Sequence, residues 1–150
     1  MRPNEHQFLI KVLRGDMAAV HFCECLFRIS QTWDDLIDKD KKISDDDINR
    51  MMWEALVVLP GNPFYQKWHH ELHPLMKVFA SDWMDATTME RIKDDHLRRI
   101  AFVLRSSVSN IILHCAYLIG GYDWMKEVSL DIRRHIYEDN FEDYLKALGR

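Results

Sequence analysis

Ile100-Ala101-Phe102-Val103-Leu104-Arg105-Ser106-Ser107-Val108-Ser109-Asn110-Ile111-Ile112-Leu113-His114-Cys115-Ala116-Tyr117-Leu118-Ile119 is the stretch on which the fold turns. With Leu97 upstream, its apolar residues recur at helical spacing but point in nearly every direction rather than along one stripe. A helix that is apolar all round is one surrounded by other helices. Thr87-Thr88-Met89-Glu90 reads as a capping box before it, and Gly120-Gly121 as a stop after it. The pattern therefore predicts a central buried helix over about 89–119.

Outward from that helix the chain reads as a succession of helices. Pro3 fits the first turn of a short one to about Leu13, Gly15 ends it, and Asp16 caps the next. Met17 to Asp38 carries Phe22, Leu26, Ile29, Trp33, Leu36 and Ile37 at spacings of three and four, one packed face. Lys39-Asp40-Lys41-Lys42 is a solvated turn. Ser44 with Asp45, Asp46 and Asp47 is a hydroxyl cap with carboxylates at the positive end of the dipole. The helix it starts presents Ile48, Met51, Met52, Ala55, Leu56 and Leu59, and stops at Pro60-Gly61.

Asn62-Pro63 restarts a helix through Trp68 and His69, and His73-Pro74 begins another. After Gly121, Asp123 caps a helix through Val128, Ile132 and Ile136; Phe141 to Leu148 is weakly periodic, a lid or a fraying end. Strands find no support outside stronger helical patterns. The expected fold is all-α: one domain, 1–150, a bundle of about seven or eight helices around the central one.

Composition narrows the function. Of 150 residues, 47% are apolar and 29% charged, which excludes a disordered chain. A net charge of −4 argues against a dedicated nucleic-acid binder. The apolar run to Gly121 is interrupted by Arg105, Ser106, Ser107, Ser109, Asn110 and His114, so no membrane span is expected. The first six residues lack the apolar core of a signal peptide. Cys23, Cys25 and Cys115 read as buried thiols of a reducing, cytoplasmic compartment.

Polar residues inside an apolar helix are its most informative positions. Ser107, Asn110 and His114 fall near one face with His96 in line, while Arg105 lies on another. The plainer explanation is a hydrogen-bond cluster that fixes helix register; the sharper one is a polar pocket in the bundle. In the second case His114, Asn110 and Arg105 are the catalytic candidates.

Trp33-Asp34-Asp35-Leu36-Ile37-Asp38 sets Asp34, Asp35 and Asp38 one helical turn apart, and carboxylates so spaced can hold Mg²⁺ for a phosphate-bearing substrate. Asp35 and Asp38 face away from the apolar stripe and Asp34 lies at its edge, which reads first as a solvated acidic face. An EF-hand fails, because Ile43 stands where the turn glycine belongs and Asn49 where the bidentate Glu belongs. In His69-His70-Glu71-Leu72-His73, His69 and His73 are four apart, but Pro74 interrupts the helix and Glu71 is one place late for a zinc-protease motif. With His96 and His114 they are candidates for a three-histidine metal site. No nucleophile elbow or phosphate loop occurs.

The segment Ile29 to Asp40, with Leu59-Pro60-Gly61-Asn62-Pro63-Phe64-Tyr65 and Leu118-Ile119-Gly120-Gly121-Tyr122-Asp123-Trp124, resembles small uncharacterised all-helical proteins of tailed-phage genomes. That resemblance implies a phage or prophage setting in a bacterial host cell and no particular activity. Asp34, Asp35 and Asp38 also resemble the aspartate-rich motif of class I isoprenoid synthases, which implies magnesium and a diphosphate. Two functions follow. One is an accessory protein that binds another protein, or itself, through a surplus of Trp, Met and Tyr. The other is a metal-dependent enzyme on a phosphorylated metabolite or nucleotide. The outward-facing acids favour the first.

Overall fold

The computed structural model describes residues 4–39 and 41–149. Pro3 and Asp40, to which the sequence assigns a first helical turn and part of a solvated turn, lie outside the described residues. Among the described residues every regular element is helical and no strand occurs. The chain divides into two compact units, Met1–His69 and His70–Arg150.

In the first unit, α1 (Glu5–Val12) leads through Gly15, at φ 73°, into α2 (Met17–Asp38). Asp16 caps α2 by accepting from the Ala19 amide at 3.1 Å. Ser44 caps α3 (Asp45–Trp53) by accepting from the Asp47 amide. A π-helical segment, Glu54–Val58, follows without a break, then α4 (Leu59–Gly61) and the start of α5 (Pro63–Glu90). Contacts run from α2 to α1, α3, the π segment and α4, so α2 is the hub of this unit. Leu9, Val12, Leu13, Val20, Phe22 and Cys23 are all but sealed from solvent. Phe22 lies 5.8 Å from the stacked ring of Tyr65 and 6.4 Å from that of Phe64. Asn62 serves twice, capping α5 at Tyr65 and donating Nδ2–H to the Ala18 carbonyl.

α5 passes through Pro74 without stopping, so the two helices expected to meet at His73-Pro74 are one; its departure from helical dihedrals is at Trp68 (φ −117°, ψ 16°). In the second unit the expected central helix is corrected most. Met89 and Glu90 end α5, Asp94 caps α6 (Asp95–Arg105), and α7 (Val108–Ile136) begins beyond Ser107. Thr87 is no cap; it lies inside α5 and donates its hydroxyl to the Trp83 carbonyl. The helix breaks at Ser106-Ser107 because the Arg105 carbonyl accepts from Trp83 Nε1 at 3.1 Å, and tight turns take over: the Ser109 and Asn110 amides donate to Ser106 and Ser107. Serines favour such departures.

Burial along the old stretch is uneven. Ile111, Ile112, Cys115 and Ala116 are sealed, whereas Val103 is 58% exposed. The rod wrapped on every side is therefore replaced by two helices, each with one packed side. Gly121 does interrupt α7, with φ 79° and ψ −172°, where the paired glycines predict a stop. α8 (Phe141–Leu148) is tied down rather than frayed: Asn140 and Asp143 form a capping box, and Phe141 and Tyr144 lie 5.8 and 5.2 Å from the Phe102 ring of α6.

The run Asp95–Leu148 contains an 18-residue window of mean hydropathy 1.4, long and apolar enough by composition to cross a membrane, with 39% of it buried in the protein. Core helices of water-soluble proteins meet the same criterion.

Candidate functional site

The π segment produces the most unusual surface in the first unit. Glu54 is buried, and both its carboxylate oxygens accept from Arg28 Nε at 3.0 Å. The Cys25 thiol donates to the same carboxylate at 3.8 Å. Burial, followed by the negative charge of Glu54, pushes that thiol up to about 11. Turning Glu54 toward α2 takes one extra residue into the helical turn, which rotates the residues after it; π turns of this kind concentrate at functional positions.

The result is an exposed apolar face. Trp53 is 61% and Leu56 67% exposed, and Met52, Val57 and Val58 are each above 40%. Met52 and Leu56, two of the apolar positions read along this helix, are turned outward, while Leu59 is buried at the end of the segment. Asp45, Asp46 and Asp47, all exposed, lie one to two turns before this face on the same helix. Arg50 offsets one of them, at 3.9 Å from Asp46. The legible signal in the sequence is the unbroken run Met51 to Leu59, interrupted only by Glu54, with more apolar residues than a single stripe uses.

The catalytic candidates Arg105, Asn110 and His114 are not brought together. Arg105 Nη2 pairs with Glu90 Oε1 and donates to Thr87 Oγ1 at 3.0 Å, and its guanidinium lies 4.9 Å over the Trp83 ring. The Tyr144 hydroxyl donates to the other Glu90 oxygen, and burial, then that hydrogen bond, raises the Tyr144 phenol far above its ordinary value. This is a closed ion-pair cluster of the second unit. His114 Nε2 instead meets Glu71 Oε1 at 3.0 Å, beside the Tyr117 ring. Asn110 lines a cavity with Ser107, Ser109, Arg133 and Asp82, and neither Arg105 nor His114 is in its wall. Sequence reading places Ser107 and Asn110 on one face but has no means of bringing Arg133 or Asp82 to it.

The metal candidates separate as well. Asp35 is largely covered, not solvated: Lys41 Nζ and Gln31 Nε2 each approach its carboxylate at 3.1 Å, leaving its side chain 14% exposed. Asp34 is half-buried and Asp38 exposed. His69 engages the Gln66 carbonyl, His70 approaches Glu71, and His73 is exposed. Among the described residues no group of three His, Cys, Asp or Glu side chains is placed to hold a metal ion. Cys23, Cys25 and Cys115 are buried and outside any disulfide.

No family model matches the chain, and neither a curated protein nor a solved structure does.

Proposed function

We propose that the chain is a non-enzymatic protein-binding module that docks through Met52, Trp53, Leu56, Val57 and Val58, and that its occupant is an amphipathic helix of another protein with a basic end. The observation that carries this reading is the shared exposure of those five side chains, with Leu56, Val57 and Val58 in the π segment and Met52 and Trp53 in the turn just before it. They leave exposed apolar surface on the order of 500 Å², comparable to the largest patch of an ordinary monomer and often functional at that size. Trp and Met are anchor residues of interfaces.

Charge argues for a different protein rather than a second copy. The acidic start of α3 lies along the helix axis from the apolar face, so a helix laid along that axis gains by carrying Lys or Arg at one end. A phage or prophage protein inside a bacterial cell, the setting that the sequence resemblance implies, would meet such a partner there.

The test is sedimentation of fluorescently labelled chain in bacterial extract at two salt concentrations. The expected result is a complex that Leu56→Asp abolishes, that replacement of Asp45, Asp46 and Asp47 by Asn weakens, and that salt weakens in parallel. A complex indifferent to Leu56→Asp overturns the reading, as does purified chain that forms the same species alone.

A further inference from the structure

Asp82 of α5 and Arg133 of α7 line one cavity of about 470 Å³ in the second unit without reaching each other. Arg133 Nη1 donates to Ser109 Oγ, and among the described residues its guanidinium has no ion pair. Asp82, half-buried, makes neither a hydrogen bond nor an ion pair among them. A third group in the same wall is also unmatched: Ser107 is 7% exposed, and its buried Oγ has no hydrogen-bond partner. A buried hydroxyl left without a partner lowers stability, so an arrangement that keeps one is suited to a ligand that completes it.

We propose that this cavity binds a small zwitterion, an α-amino acid. Its carboxylate would lie on Arg133, with the Ser107 hydroxyl turning to complete it, and its ammonium on Asp82. The chemistry selects both charges at once. A simple anion would satisfy Arg133 and leave Asp82 facing it, and a simple cation would do the reverse. Val103, Leu104 and the Tyr137 ring supply an apolar wall for the ligand's side chain. Tyr137 is itself fixed, its hydroxyl donating to the Val103 carbonyl at 2.9 Å. An amino acid fills part of the volume, and the remainder suits bridging water. The site uses no residue of the docking face.

Thermal shift and calorimetry with glycine, L-leucine and L-glutamine test this, against sodium acetate and ethylammonium chloride at matched ionic strength. The amino acids are expected to give a saturable rise in Tm that neither single-charge control gives. Arg133→Gln and Asp82→Asn should each weaken binding at least about tenfold, the loss of one charge-assisted contact. Asp82→Asn disturbs no packing or bonding, so it keeps the test valid if Arg133→Gln fails to fold. Ser107→Ala should raise the Tm of the free protein while reducing the increment from the amino acid. The proposal is overturned by no saturable shift up to about 10 mM, by acetate matching the amino acids, or by Asp82→Asn binding as tightly as the parent.

Discussion

Arg105 and Glu90 form a two-point ion pair in which both side chains are nearly withdrawn from water, 14% and 8% exposed. The pair ties the end of α6 to the end of α5, and Tyr144 brings α8 to the same carboxylate. A residue that looks on paper like a substrate-binding arginine is thereby an internal fastening.

Breaking that fastening from one side leaves a buried charge. Arg105→Ala should cost about 3–5 kcal/mol in chemical denaturation, and Tyr144→Phe about 1–2 kcal/mol. A loss below about 1 kcal/mol for Arg105→Ala would mean that the pair is no structural fastening.

The docking face makes the opposite prediction. Trp53→Ser and Leu56→Asp remove exposed side chains, so each should change unfolding free energy by less than about 0.5 kcal/mol. Phe22→Ala, in the sealed core beneath, should cost about 3–5 kcal/mol. Equal penalties for Leu56 and Phe22 would mean the face is covered.

Cys25 gives a pH signature. Its thiol is raised from 9.0 to about 11, so between those values the unfolded chain loses this proton while the folded chain keeps it. Stability from this group is complete below pH 9 and is lost as pH rises through 11, by about 2–3 kcal/mol. The raised Tyr144 phenol also loses stability above pH 10 in both proteins, so between pH 8 and pH 11 the parent should lose about 2–3 kcal/mol more than Cys25→Ala in chemical denaturation. Iodoacetamide at pH 8 should leave folded Cys25 unmodified.

His114 and Glu71 are each about one-third exposed on the side chain, so His114→Ala should cost under about 1 kcal/mol by thermal melting. A larger loss would make that pair a structural centre.

Local signals in the sequence carried over well. Asp16, Ser44 and Asn62 act at helix starts, and Gly121 interrupts the helix where the paired glycines predict an end. Helical character was legible throughout because apolar spacing encodes it directly. Two kinds of information were not. The break at Ser106-Ser107 depends on a carbonyl captured by Trp83 from twenty-two positions away. The outward turn of Leu56 depends on a π turn pinned by Arg28 from another helix. Both are tertiary hydrogen bonds that override local periodicity, and each moved a group of side chains to a different face. The same limit hid Asp82 and Arg133, which stand on different helices yet line one cavity with Ser107 and Asn110.

Photo-cross-linking from position 56 in bacterial extract, with the attached segment mapped by mass spectrometry, tests the docking face most directly. Adducts are expected within one helical segment of another protein, apolar at spacings of three and four with Lys or Arg at one end. Adducts to a second copy of this chain, to segments without that pattern, or none at all would contradict it.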